Sequence, residues 1–218
     1  MDVQPKTIRP FQSFLSLAIF FLCCWYLLLC SVHYTRQRPL WLDEQSVFKS
    51  VAAFQPQEFF TRKLAVDQIF PRLYLCLIQK IAQPFDLNLL SLRFMSFVSM
   101  IAAFFIWLRI AKYELSAKGA SAKLTASGPA NGGAGGKDQL QYFTFVLSWT
   151  ASSLLIYYSA ELKPYSMDVL AGAIFIWFLY NQTRLAEGNK ARYLAALVLL
   201  PLLGLFSYPA FLFFIFPL

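Results

Sequence analysis

The sequence predicts an all-α protein: a polytopic transmembrane helical bundle with interfacial amphipathic helices in its first outer loop. Three observations carry that prediction. Of 218 residues, 58% are hydrophobic and only 14% charged, where a soluble domain carries about a quarter charged residues. The apolar residues are gathered into runs of bilayer length. The basic residues behind the formal net charge of +8 stand in the short segments between those runs, which is how membrane orientation is set. With the basicity explained that way and no aromatic–basic array present, nucleic acid is excluded as a partner and membrane lipid is expected as one.

Residues 11–33, FQSFLSLAIFFLCCWYLLLCSVH, are long enough to cross about 30 Å of hydrocarbon at about 1.5 Å per residue. The run is too long for a signal-peptide core and no small-x-small cleavage site follows it, so it is expected to stay as an anchor. A second span runs from about Leu89 to Leu108, with Arg93 near one end where it can snorkel. A third covers 140–158, a fourth 167–183 and a fifth 193–208, and 211–218 begins a sixth. Because the chain stops at FFIFPL, inside an apolar run, residues 1–218 are expected to be a single transmembrane domain forming the N-terminal part of a longer protein.

The stretch FPRLYLCLIQKIAQPF, 70–85, decides the topology. Its uncharged core between Arg72 and Lys80 falls well short of the roughly 20 residues a span needs. If it crossed, the basic N-terminus (Lys6, Arg9) and the basic 109–138 segment would face opposite sides. If it lies in the interface, these two and the 184–192 segment are all cytoplasmic, as the positive-inside rule prefers. Leu73, Leu77 and Ile81 share one helical face, which suits an interfacial helix. Residues 34–88 then form the first extracytoplasmic loop, and a short second loop lies around 158–166. The Gly/Ala/Ser-rich 116–139 is expected to be a disordered cytoplasmic linker. Its GGAGGKD lacks the glycine spacing and the Ser or Thr of a phosphate loop.

The four cysteines, Cys23, Cys24, Cys30 and Cys76, have no metal-ligand spacing, and His33 is the only histidine. No metal ligand is therefore assigned. The outer loops hold the unusual residues: Asp43 and Glu44 just after the first span, Arg93 at the outer end of the second, and Glu161 and Lys163 in YYSAELKPYSMD. Singly, each is an ordinary solvated loop charge. Together, two loops returning to one membrane face bring carboxylates, a lysine and an aromatic rim to one place. A carboxylate can take a proton from a nucleophile, basic side chains can hold a departing phosphate, and apolar helices can hold a lipid tail.

LWLDEQSV after a first span, then DQIFPRLYLCLIQK, LSLRFMSFVSM, YYSAELKPYSMDVL and LGLFSYPAFLFF, resemble in order and spacing the N-terminal half of GT-C-type membrane glycosyltransferases. The bacterial branch related to protein O-mannosyltransferases and the lipid A aminoarabinose transferase is the most similar group. The resemblance implies sugar transfer from a polyprenyl-phosphate donor to a glycan, lipid or protein acceptor at the outer face of a bacterial plasma membrane, with a cytoplasmic N-terminus. It implies Asp43 as general base and Glu44 as the neighbour that tunes or positions it. It also implies substrate binding by Arg72, Arg93, Glu161, Lys163, Tyr165 and Ser166, and matches Ser96 beside Arg93. Lys163 stands where the family usually has Arg, and Arg72 where many members have Pro. Some relatives bind a metal through residues beyond this chain, which leaves a divalent cofactor open. Repulsion between Asp43 and Glu44 is expected to raise the pKa of one of them. The competing readings are a transporter or flippase, disfavoured because the inner spans carry almost no charge at mid-depth, and a non-catalytic membrane protein.

The topology has a direct check. A cysteine placed at Ser127 is expected to resist a membrane-impermeant maleimide in intact cells; labelling from outside would overturn the interfacial assignment of 70–85.

Overall fold

The computed structural model describes residues 10–64, 70–125, 134–188 and 190–208. Among these the chain is helical, with no strand. The helices are α1 (Pro10–Thr35), α2 (Leu42–Ala53), α3 (Glu58–Thr61), α4 (Arg72–Ala82), α5 (Leu89–Thr125), α6 (Ala134–Thr150), α7 (Ser153–Tyr158), α8 (Tyr165–Gly188) and α9 (Lys190–Leu203). Among the described residues two helical stretches are long and apolar enough to cross a membrane: Pro10–Thr35 and Leu89–Glu114. The expected sixth span lies outside the described residues.

The long helices alternate in direction. At one end Tyr34 donates to the Leu90 carbonyl at 2.7 Å, and the His33 and Tyr157 rings lie 5.9 Å apart. At the other end Gln139 Nε2 donates to Gln12 O at 2.8 Å and to Ser16 Oγ at 2.7 Å. There too the Tyr113 ring sits 6.4 Å from Tyr180, and Phe178 stacks on Tyr193. The chain between α1 and α5 therefore returns to the end it left, and 70–85 does not traverse the bundle.

Two cores result. Tyr26, Cys30, Met100 and Phe104 pack where α1 crosses α5, with Trp149 and Ile156 against them. The second core lies under the cap made by α2, α3 and α4 at the first end. It joins Val47, Val51, Phe59, Tyr74, Leu75, Ile78 and Ala82 to Leu92 of α5 and Leu162 of the loop before α8. The packed face of α4 is thus Tyr74, Leu75, Ile78 and Ala82, while Leu73, Leu77 and Ile81 are half-buried on its flank.

Local chemistry sets the boundaries. Asn88 Oδ1 accepts the Ser91 N–H at 2.8 Å, an N-cap that starts α5 directly after two left-handed residues, Asp86 (φ 54°) and Leu87 (φ 53°). The expected single span 140–158 is instead two helices, α6 and α7, broken at Ala151 and Ser152. There the Thr150 hydroxyl bonds the Leu147 carbonyl at 3.2 Å and Ser152 N–H bonds Trp149 O at 3.1 Å, tightening the last turn until the helix ends. The segment expected as a disordered linker is partly helical: α5 runs on to Thr125 and α6 begins at Ala134, with 126–133 outside the described residues. The extension is inexpensive, because 116–125 is mostly Ala, Lys, Ser and Leu with one glycine, Gly119.

Gln79 ties α4 to the end of α2. Its Nε2 donates to Val51 O at 2.7 Å and to Phe54 O at 2.6 Å, carbonyls that the end of α2 leaves without helical partners. Gln79→Leu removes both bonds and is expected to cost about 2–3 kcal/mol in chemical unfolding in mild detergent; an unchanged midpoint would contradict the cap's dependence on it.

Candidate functional site

The helical register of α2 separates its two adjacent carboxylates. Consecutive helical residues point about 100° apart. Glu44, Val47, Ser50 and Val51 form the buried face, while Leu42 (81% exposed) and Asp43 turn outward. Glu44 is consequently sealed beneath the cap and Asp43 stands at its rim.

Every oxygen of Glu44 is engaged. Oε2 accepts the Trp41 N–H at 3.1 Å, closing the first turn of α2, and lies 3.2 Å from Arg93 Nη2. Oε1 accepts the Leu162 N–H at 2.7 Å. Arg38 Nη2 lies 3.6 Å from that oxygen and 3.5 Å from Glu161 Oε1, so it bridges the two loops. Arg93, fully buried, also donates to the Arg38 carbonyl at 2.9 Å. The Arg38 guanidinium stacks over Tyr157 at 4.3 Å from the ring centroid.

Above this sealed cluster, Lys163 Nζ donates to Asp43 Oδ2 at 2.7 Å. The Lys163 side chain is 12% exposed and the Asp43 side chain 57%. Tyr165 closes the rim, its ring 5.4 Å from the ammonium. From below, Tyr74 donates to the Lys163 carbonyl at 3.2 Å and shares a 3.0 Å bond with Ser96, which also reaches that carbonyl at 3.3 Å.

The two connections at this end of the bundle, with the helices they join, thus bring together Asp43, Glu44, Arg93, Glu161, Lys163 and Tyr165. Their surroundings differ from the expectation. Arg93 does not snorkel to the surface; it is the buried counter-ion of Glu44. Ser166 is buried and donates to the Tyr158 carbonyl at 3.3 Å, so its hydroxyl serves the start of α8. Arg72 donates to the Arg62 carbonyl at 3.0 Å, fastening α4 to the end of α3 rather than joining the charged group. Arg38, Tyr157 and Tyr74 were not foreseen. The signal for Arg38 was available: it is a cation placed just before an acidic pair, one member of which needs a counter-ion if it is buried.

The electrostatics follow from this geometry. The hydrogen bond and charge of Lys163 hold the Asp43 carboxyl below its usual value, where repulsion within the Asp43–Glu44 pair was expected to raise one of the two. Burial pushes Lys163 down, but Asp43, Tyr165 and Glu161 together outweigh it and hold the ammonium above its usual value. Burial and then the nearby Glu44 push Glu161 up from its usual 4.5, with Lys163, Arg38 and Tyr157 opposing, and Glu161 Oε2 is buried without a partner. Among the described residues no three His, Cys, Asp or Glu side chains gather closely enough to hold a metal ion. Comparison with family models, curated proteins and solved structures returns no match.

The signs give a pH test. Asp43, with a depressed pKa, contributes stability that is present above its unfolded value of 3.8 and is lost as pH falls through the lower folded value. Glu161, with a raised pKa, contributes stability that is present below its unfolded value of 4.5 and is lost as pH rises through the higher folded value. Thermal midpoints are therefore expected to fall as pH rises through the window just above 4.5, and Glu161→Gln is expected to remove that slope. A slope that survives the substitution would assign it elsewhere.

Proposed function

We propose that the protein is a membrane glycosyltransferase that moves a sugar from a polyprenyl-phosphate donor to an acceptor at the outer membrane face, within a multi-pass bundle. The observation that carries this reading is the Asp43–Lys163 pair at 2.7 Å, an exposed carboxylate on a largely covered ammonium, contributed by α2 and the loop before α8 and held over a sealed, charge-balanced cluster. It supplies a base and a phosphate-binding cation side by side, at the end of a bundle whose helices alternate in direction. The exposed Trp41, Leu42 and Tyr165 around the pair suit the edge of a bilayer.

In the proposed reaction an acceptor hydroxyl or amine attacks the anomeric carbon. The carbon–oxygen bond to the phosphate breaks, and the phosphate leaves with the electron pair. Asp43 takes the proton from the acceptor, and Lys163 meets the charge growing on the leaving phosphate. In the resting state Lys163 weakens Asp43 as a base. An arriving donor phosphate competes for the ammonium, which returns the Asp43 pKa toward ordinary carboxylate values. The base is thus released only when the donor is in place. Glu44 and Arg93 act through position, by pinning Leu162 and therefore Lys163.

Transfer of radiolabelled sugar from a polyprenyl-phosphate sugar by the full-length protein in detergent tests the proposal. Asp43→Asn is expected to fold normally and lose roughly a hundredfold or more in kcat. Lys163→Ala is expected to raise the donor KM, with Lys163→Arg largely restoring it. Full activity in Asp43→Asn ends the catalytic role, and an unchanged donor KM in Lys163→Ala ends the phosphate role.

A further inference from the structure

Two cavities flank α8 toward the end of the bundle away from Asp43. A niche of about 60 Å³ is lined by Arg109 and Tyr113 of α5 and by Trp177, Tyr180 and Asn181 of α8. A groove of about 190 Å³ runs between α8 and α9, past Ile174, Trp177 and Phe178 on one side and Ala196, Leu199 and Leu203 on the other. Trp177 lines both. The groove walls are entirely apolar, whereas the niche carries a guanidinium, two phenols and an amide.

The level of the niche in the bundle matters as much as its lining. Arg109 lies about 30 Å along α5 from Leu89 at about 1.5 Å per residue, which is about the thickness of bilayer hydrocarbon. It therefore sits at the opposite interface from the Asp43–Lys163 rim. It is exposed, and among the described residues no carboxylate is in salt-bridge reach of it. Tyr113 and Tyr180, 43% and 41% exposed, flank it as interfacial aromatics do. Tyr180 also hydrogen-bonds Glu114. From Ala196 the groove follows α9 toward Leu203, away from the Lys190 end, so a chain lying in it would run from the headgroup level toward mid-membrane.

We propose that these two cavities form one bipartite site for a single anionic phospholipid, its phosphate on Arg109 and one acyl chain in the α8–α9 groove. The occupant is argued from charge and shape together: a cation at headgroup depth joined to a dry groove of the right direction. A zwitterionic lipid satisfies the groove but gains less at the niche, and a free phosphate satisfies only the niche. The inference rests on the multi-pass reading and is independent of sugar transfer.

Retention of the full chain in membranes through an alkaline carbonate wash is scored first; release would overturn the multi-pass reading itself. Native mass spectrometry from micelles holding equal phosphatidylglycerol and phosphatidylcholine then tests the site. The wild type is expected to retain phosphatidylglycerol in preference. Arg109→Gln is expected to reduce that preference about fivefold to tenfold. Ala196→Phe, which fills the groove from its lipid side, is expected to lose retention of both lipids while circular dichroism shows native helicity. Equal retention of the two lipids by the wild type, or an unchanged preference in Arg109→Gln, overturns the site. So does unchanged retention in a natively helical Ala196→Phe, or displacement of the lipid by inorganic phosphate alone.

Discussion

Burying the Glu44 carboxylate forfeits several kcal/mol of hydration, and the chain offsets this only by drawing distant groups onto its two oxygens. The Trp41 and Leu162 N–H groups and the Arg93 and Arg38 guanidinium groups arrive from the residue capping α2, the loop before α8, α5 and the segment between α1 and α2. No other interaction touches so many elements. The register of α2, the seat of the cap on α5 and the inward fold of the second loop all follow from it. Leu162 adds the apolar half of the same junction, because its N–H binds Glu44 while its side chain enters the core under the cap.

The end of the bundle that carries the cap has two electrical layers with different properties. Below, the guanidinium groups of Arg38 and Arg93 face the carboxylates of Glu44 and Glu161 in a dry, nearly neutral cluster that stays rigid because every departure strands a charge. Above, Asp43 and Lys163 pair in contact with solvent, where the ion pair is screened and can open at little cost. Chemistry that needs a group to change partners belongs in the upper layer. The lower layer sets where that group stands.

Much of this was legible in the sequence, and the exceptions have physical causes. Apolar runs identify α1 and the first part of α5 because lipid demands length and low charge more than any periodicity. The return of the first loop to its own end could be argued from the basic segments alone. The break between α6 and α7 could not: Thr150, Ala151 and Ser152 look unremarkable within an apolar run, and the Thr150 hydroxyl and Ser152 N–H tighten the last turn only through the carbonyls they find. Asp43 and Glu44 look equivalent as neighbours in sequence, and only the pattern of Val47 and Val51 shows which one turns inward. Composition does not distinguish a snorkelling Arg93 from a buried one, since the partner that makes burial tolerable is remote in the chain.

The length of α5 has a consequence of its own. At 37 residues it measures about 55 Å, and the stretch beyond Arg109 accounts for about 24 Å of that. In a bilayer whose boundary lies near Arg109, the helix stands clear of the lipid like a mast. The attraction of anionic lipid for lysines fades within a Debye length of about 8 Å. In such a bilayer the end of the helix at Thr125 stands about three Debye lengths from that boundary, where bulk electrolyte and not the membrane sets the field.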